Sequence, residues 1–264
     1  MRLSPFLGAS VALHAAATPA LVLAPHRWPW IAGVLLADHC ATIAGGLLPR
    51  SALLGPNLRR SAAAEAAGAV VLTFDDGPDP LTTPKVLDAL EARGAKATFF
   101  CIGEHAARHR ALTAEIALRG HRLENHSHTH RNGFFFHLPA TLDREIGLCQ
   151  EELQRASGRA PSFFRAPAGI RSPLLESALA RAGLRLASWT RRGFDTASRD
   201  PVAVASRLTR GLSAGDVVLL HDGARHPRPG RERIVLQALP RVLDAIEASG
   251  LRAMPLVDDA PDPA

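Results

Sequence analysis

From Ala69 onward, short apolar and β-branched runs alternate with longer segments of helical period. The runs predict strands at Ala69–Phe74, Ala97–Ile102, His121–Glu124, Ser162–Arg165, Leu184–Trp189 and Val217–Leu220, with a late one near Arg252–Leu256. Between them, helices are predicted over Thr83–Arg93, Glu104–Arg119, Thr141–Ala156, Pro173–Ala182, Pro201–Gly211 and Glu232–Ala248. Pro84 falls in a first turn, where its missing N–H is not needed. Gly120 follows a helix end, where a left-handed cap favours a residue without Cβ. Repeated β-α units of this size imply an α/β fold built on a parallel sheet or a β/α barrel.

The first fifty residues break this pattern. Phe6 to Ala24 is apolar, with His14 its only titratable side chain, and a second apolar stretch runs from Trp28 to Leu48. Each is about 20 residues, the length that crosses a bilayer. Trp28 and Trp30 suit a membrane interface, whereas Asp38 and His39 are costly against lipid. Three readings stay open: two spans, a cleaved secretory signal over the first stretch, or a helical hairpin lying partly in the membrane. Arg2, Arg27, Arg50, Arg59 and Arg60 favour the hairpin with both flanks cytoplasmic at a bacterial-type inner membrane; the periplasmic side is the alternative. The chain therefore divides into a membrane-associated segment (1–50), a linker with an alanine-rich run able to form a short helix (51–68), the main domain (69–258) and a disordered tail (259–264).

Composition narrows the class. Hydrophobic residues make up 47% and charged residues 21%, which excludes a disordered chain. The net charge of +6 comes almost wholly from arginine, but the arginines are scattered and no nucleic-acid motif accompanies them. Attraction to anionic lipid is the simpler reading, with no nucleic-acid partner. The three cysteines are widely spaced and odd in number, so neither a disulfide framework nor a zinc ribbon is expected. Cys101 and Cys149 fit buried, reduced thiols.

The candidate chemistry sits where predicted strands end. The run Val70–Phe74 stops at Asp75-Asp76, followed by Gly77-Pro78. Two adjacent carboxylates repel unless one binds a cation or the two differ in role. Asn125-His126-Ser127-His128-Thr129-His130 follows another strand. His126 and His130 share a face if the segment is helical, as zinc-binding pairs do. In an extended segment His126 pairs with His128 instead, and the residues alone leave both open. Phe163-Phe164 ends in Arg165, which can form a bidentate bond to a carboxylate. Ala166 to Gly169 then makes a small-residue turn able to present backbone N–H groups. Ser188-Trp189 leads to Asp195, and Val217–Leu220 ends at His221-Asp222, a position for a general acid or base. Alone, each element is a common structural feature. Five such strand ends on one face compose a metal-assisted hydrolase site: two histidines and an aspartate for a metal, plus a free carboxylate, a free histidine and an arginine.

Together these motifs resemble the polysaccharide deacetylases of carbohydrate esterase family 4, the NodB-type homology domain, over about Ala69 to Leu256. Thr73-Phe74-Asp75-Asp76-Gly77-Pro78, His126-Ser127-x-x-His130, Arg165-x-Pro167-x-Gly169 and Leu219-x-His221-Asp222 occur in the family's order. The resemblance implies a distorted (β/α)7 barrel and removal of an N-acyl group, usually acetyl, from an amino sugar. It assigns Asp76, His126 and His130 to a divalent metal, zinc above all, with cobalt, nickel or manganese as substitutes. It makes Asp75 the general base, His221 the general acid, Arg165 the partner that holds Asp75 ionised, and Asp195 the carboxylate that orients His221. Pro167, Ala168 and Gly169 would form the oxyanion turn, Leu219 the acyl pocket and Trp189 a wall of the groove. Where the family carries an aromatic residue, often Tyr, this chain has Ala168. With no tyrosine and few tryptophans, a small or lipid-linked glycan is expected over a long polymer, acted on by a monomeric catalytic domain. A deformylase or O-acetyl esterase, or an inactive carbohydrate-binding domain on a membrane anchor, are the alternatives.

Overall fold

The computed structural model describes residues 4–224 and 233–257. Its body is a curled parallel sheet, the distorted (β/α)7 barrel that the resemblance implies. Strands β1 (Ala69–Asp75), β2 (Thr98–Cys101), β3 (Arg122–Asn125), β4 (Phe163–Phe164), β5 (Arg185–Leu186), β6 (Arg191–Arg192) and β7 (Val217–His221) lie in the order β5-β4-β3-β2-β1-β7-β6. An eighth, β8 (Arg252–Met254), pairs with the start of β1. Val71 is matched with both Val217 and Met254, so β8 occupies the β1 edge opposite β7, below β2.

Helices α3 (Ala62–Ala66), α4 (Thr83–Glu91), α5 (Gly103–Arg108), α6 (Arg110–Leu118), α7 (Pro139–Ser157), α8 (Leu175–Arg181), α9 (Pro201–Thr209) and α10 (Ile234–Ala248) complete the domain. The strands' two-residue period sorts the core into layers. Val70, Leu72 and Phe74 of β1 join Phe99, Val218 and Leu220 against α4, α9 and α10. Ala69 and Val71 turn the other way, with Phe100, Phe163, Val217 and Leu219, and fill the barrel axis. Both faces are covered, so β1 is buried along its whole length.

Three elements differ from the sequence expectation. The helix predicted over Glu104–Arg119 breaks at His109 (φ −120°, ψ 50°), and the Thr113 hydroxyl donates toward the Ala106 and His109 carbonyls at the break. The strand predicted over Leu184–Trp189 is short. The chain leaves β5, crosses the barrel's open seam and re-enters as β6 beside β7. The stretch 51–68, expected as a linker, fills that seam. The Leu58 N–H donates to the Leu186 carbonyl, the Ser188 N–H donates to the Leu58 carbonyl, and Arg60 bridges to Asp216. Unpaired strand edges demand such a partner. The predicted helix start at Glu232 and the tail at 259–264 lie outside the described residues.

The amino terminus forms an antiparallel hairpin of α1 (Pro5–Leu23) and α2 (Trp28–Leu47), joined at Pro25–Arg27. Both helices are long and apolar enough to cross a membrane, by length and composition. Their polar residues gather between them: Ser10 Oγ donates to Asp38 at 2.7 Å, and the His14 and His39 rings meet edge-on at 5.0 Å. The hairpin's base is built into the barrel. Ser4 Oγ donates to the Leu53 carbonyl, and the Arg171 N–H donates to the Gly46 carbonyl at 2.9 Å. A Cβ on Gly46 would lie 2.6 Å from the Arg171 carbonyl oxygen and 2.9 Å from the Phe135 ring, so only glycine permits this approach. Gly46→Val is therefore expected to cost about 1–3 kcal/mol by overpacking. Thermal unfolding in detergent checks this against Gly33→Val, whose Cβ would meet nothing within 4 Å.

Candidate active site

Asp75 closes β1 on the axial face, in line with Ala69, Val71 and Thr73, and is 3% exposed. Parallel pairing sets it in register with His221, the last residue of β7. These two residues are 146 positions apart in sequence yet neighbours across the ladder.

Arg165 leaves the end of β4 and crosses the axis wholly buried. Its Nη1 donates to Asp75 Oδ1 at 2.7 Å and to Thr73 Oγ1 at 2.8 Å, Nη2 donates to the Ser188 carbonyl, and Nε donates to the Ala187 carbonyl. The guanidinium stacks 4.0 Å from the Phe100 centroid. Burial lowers its pKa and the Asp75 charge opposes that; arginine remains protonated even so.

Asp76 turns the chain out of the strand through a left-handed backbone (φ 72°). Its Oδ1 lies 3.4 Å from Nε2 of both His126 and His130. Burial would raise the Asp76 carboxyl, but the nearby imidazoles, His126 first and then His221 and His130, hold it well below the usual carboxylate range. His126 Nδ1 lies 2.8 Å from the Arg165 carbonyl, which selects the tautomer protonated there and frees Nε2 as a donor to a cation. Burial first, then His126, push the His130 pKa down to about 4, so its imidazole is neutral near pH 7.

The histidine segment is neither helix nor strand. Left-handed backbones at Ser127 (φ 64°) and His130 (φ 49°) fold it back, and the Ser127 hydroxyl accepts from the His130 N–H. His130 thereby reaches Asp76, while the His128 ring packs against Gly103. Of the two pairings left open by the residues alone, the structure brings together the four-apart one. Glu145 on α7 holds this loop through the Thr129 N–H and hydroxyl, at 2.9 and 2.8 Å. Sequence reasoning missed Glu145, because a glutamate within an amphipathic helix carries no signal of its own.

His221 Nδ1 lies 2.9 Å from Asp195 Oδ1, and the His221 N–H donates to Asp195 Oδ2 at 2.8 Å. Burial opposes the charged imidazole, but Asp195, with help from Asp76 and Asp75, raises its pKa to about 9. Asp222 beside it is buried, accepts from the Thr83 hydroxyl at 2.6 Å, and is pushed up by burial to about 7.

Pro167 and Gly169 are buried and Ala168 is exposed, in the turn that follows Arg165. Ala168 has φ 54°, and its N–H has no hydrogen bond among the described residues. Trp189 and Leu219 are 5% and 1% exposed and belong to the axial core. They sit behind the mouth: the Trp189 ring abuts Gly169 and faces the Arg165 guanidinium, so the expected wall is a buried backing. All five described non-glycine residues with positive φ (Asp76, Ser127, His130, Ala168 and Phe194) lie in the loops around this mouth. Backbone strain of this kind persists where surrounding contacts over-determine it.

Asp76, His126 and His130 have ligand atoms within 4.8 Å of one another. Two imidazole nitrogens and one carboxylate oxygen, with Asp76 Oδ1 buried and lacking a hydrogen-bond partner, fit a divalent cation of zinc type. The polysaccharide deacetylase family model matches residues 63–187. A chitooligosaccharide deacetylase of Bradyrhizobium sp. (strain ANU 289) is 34% identical over 197 residues, 71% of this chain and 88% of that protein. The chain belongs to the polysaccharide deacetylases. This is carbohydrate esterase family 4, whose members hydrolyse N-acetyl amide bonds in carbohydrates. A peptidoglycan-N-acetylglucosamine deacetylase of Bacillus cereus is 30% identical over 189 residues, 69% of this chain and 84% of its own. Among solved structures, a family 4 carbohydrate esterase from Streptomyces lividans superposes with a TM-score of 0.63 at 33% identity, covering 70% of this chain and 91% of that one.

The His221–Asp195 pair ties stability to pH. Its folded pKa of about 9 lies above the ordinary 6.5, so the stabilisation is fully present below 6.5 and is lost as pH rises through 9. In metal-free protein, Asp195→Asn is expected to cost on the order of 3 kcal/mol at the acidic end of that window. Denaturant unfolding checks this: the gap between wild type and variant should shrink as pH passes 9.

Proposed function

We propose that this deacetylase is a divalent-metal-dependent hydrolase that removes an N-acetyl group from an amino sugar of a poly-, oligo- or lipid-linked saccharide, attached to a membrane by its hairpin. The reading rests on one observation. Asp75 clamped by Arg165 and His221 clamped by Asp195 flank the Asp76–His126–His130 trio in a single mouth.

Asp76, His126 and His130 would hold the ion. When bound, it lends Lewis acidity to the scissile carbonyl and to the attacking water. Asp75 takes the proton from that water. The Arg165 bond leaves Oδ2 of Asp75 on the open side, 3.8 Å from His126 Nε2. The Ala168 N–H donates to the developing oxyanion. His221 delivers a proton from Nε2 to the departing amine nitrogen, while Asp195 fixes Nδ1–H and steadies the imidazolium. Leu219 and Trp189 give the acetyl pocket its apolar floor. An amide leaving group needs protonation, and a histidine raised to about 9 keeps that proton near pH 7.

Purified full-length protein should release acetate from N-acetylated chito-oligosaccharides, lose activity with chelator and recover it with zinc. Asp75→Asn should lower kcat by about 10²–10⁴-fold with metal content unchanged, as expected for loss of a general base. His126→Ala should lower metal content as well. A chain in which Asp75→Asn turns over like wild type does not work by this mechanism.

A further inference from the structure

The hairpin does not hang from the domain on a tether. Helix α2 ends at Leu47, and Pro49 already touches the catalytic mouth: a Cβ on Gly169 would lie 2.8 Å from the Pro49 Cβ. Two residues of chain span at most about 7 Å. The Gly46 carbonyl holds the Arg171 N–H, and Phe135, five residues after His130, packs on Gly46. Arg50 then donates to the Thr190 carbonyl. Where α2 leaves the apolar phase, the turn carrying Ala168 and the loop after the metal histidines are therefore already in contact with it.

The exposed apolar residues follow the same line. Phe136 and Leu138 are 80% and 70% exposed on the loop that links His130 to α7, and Leu47 and Leu48 are 53% and 60% exposed at the hairpin's exit. Phe136 adjoins Phe135, which touches the hairpin, so this patch continues the hairpin's apolar surface onto the rim. Arg50, Arg59 and Arg131 are exposed around it, where anionic headgroups attract cations. At the hairpin's far end, Trp28 and Trp30 are 62% and 80% exposed. The 20 residues of α2 rise about 30 Å, one hydrocarbon thickness, between those tryptophans and Leu47. Tryptophans mark one interface; the mouth is at the other.

We propose that the catalytic mouth lies against the bilayer surface and takes its amino sugar from a lipid carrier anchored in that bilayer. This rests on the deacetylase reading above and narrows its substrate to one of the classes named there. Trp189 is buried in the core and the chain has no tyrosine, so aromatic stacking on a free polymer would fall to phenylalanines such as the half-exposed Phe194. A substrate confined to the enzyme's own membrane needs less grip, because anchoring supplies effective concentration.

The test uses the full-length protein in vesicles of phosphatidylethanolamine and phosphatidylglycerol in equal parts. A bimane fluorophore on Phe136→Cys, in a Cys40→Ala background, should be quenched by lipids brominated near the headgroup. Absence of quenching overturns the orientation, whatever the activity. Turnover is then compared between N-acetylglucosamine joined through a diphosphate to a polyprenol in the vesicles and free N-acetylglucosamine tetramer. The lipid-borne sugar should be preferred in kcat/KM by at least about tenfold. Phe136→Asp with Leu138→Asp should erase most of that preference while leaving turnover of the tetramer within about twofold, since neither residue enters the site. Equal or better turnover of the tetramer overturns the lipid-borne substrate, as does an equal loss on both substrates in the double variant. Quenching without turnover of either sugar overturns the amino-sugar reading itself, and the lipid-borne substrate with it.

Discussion

The buried contact between Arg165 and Asp75 is the constraint on which the rest of the mouth depends. An arginine with 1% exposure must satisfy its donors within the protein, because an unpaired buried charge costs several kcal/mol. It does so on β1 at Asp75 and Thr73 and on the chain leaving β5 at Ala187 and Ser188, with Phe100 of β2 as its stacking surface. One side chain from β4 thereby ties together strands from both sides of the curled sheet. Its carbonyl also accepts from His126 Nδ1, so the residue that clamps the proposed base sets the tautomer of a proposed metal ligand.

Around that clamp, parallel register does the assembly. Thr73 is matched with Leu219 and Asp75 with His221, so successive axial positions pass from the apolar core to the proposed acid–base pair in one step along the ladder. Asp76 follows immediately, but its left-handed backbone takes it out of the strand's alternation and toward the two histidines. The repulsion expected between adjacent carboxylates is relieved by giving each its own partners: the Arg165 guanidinium for Asp75, and the His126 and His130 imidazoles, with the proposed cation, for Asp76. The strained backbones cluster in these loops because no regular element delivers side chains from such close sequence positions to one point.

The hairpin changes what the barrel alone would imply. Had residues 51–68 been a free linker, the mouth could have taken any orientation relative to the apolar helices. Instead that stretch is stitched to Leu186, Ser188 and Gly215, and the helix end is wedged on Gly169 and Arg171. A barrel has a seam wherever its first and last strands fail to meet, and here the chain arriving from the hairpin closes it.

Much of this was legible in the amino-acid sequence. Alternating apolar runs and helical periods set the β/α architecture, since burial on both sheet faces leaves an unmistakable pattern in strands such as Val70–Phe74 and Val217–Leu220. Asp75, Asp76, His126, Arg165 and His221 were readable because titratable groups directly after such runs stand out against their neighbours. What the linear order could not carry were choices made by distant contacts. Whether His128 or His130 faces Asp76 depends on positive φ at Ser127 and His130, which their side chains do not announce. Glu145's support of the histidine loop, the break between β5 and β6, the burial of Trp189 and the wedge of Pro49 on Gly169 arise only once the barrel closes. Local sequence determines which residues can be strands, turns and ligands; three-dimensional packing decides which of them meet, because buried charges and close backbone approaches are satisfied by partners dozens of residues away.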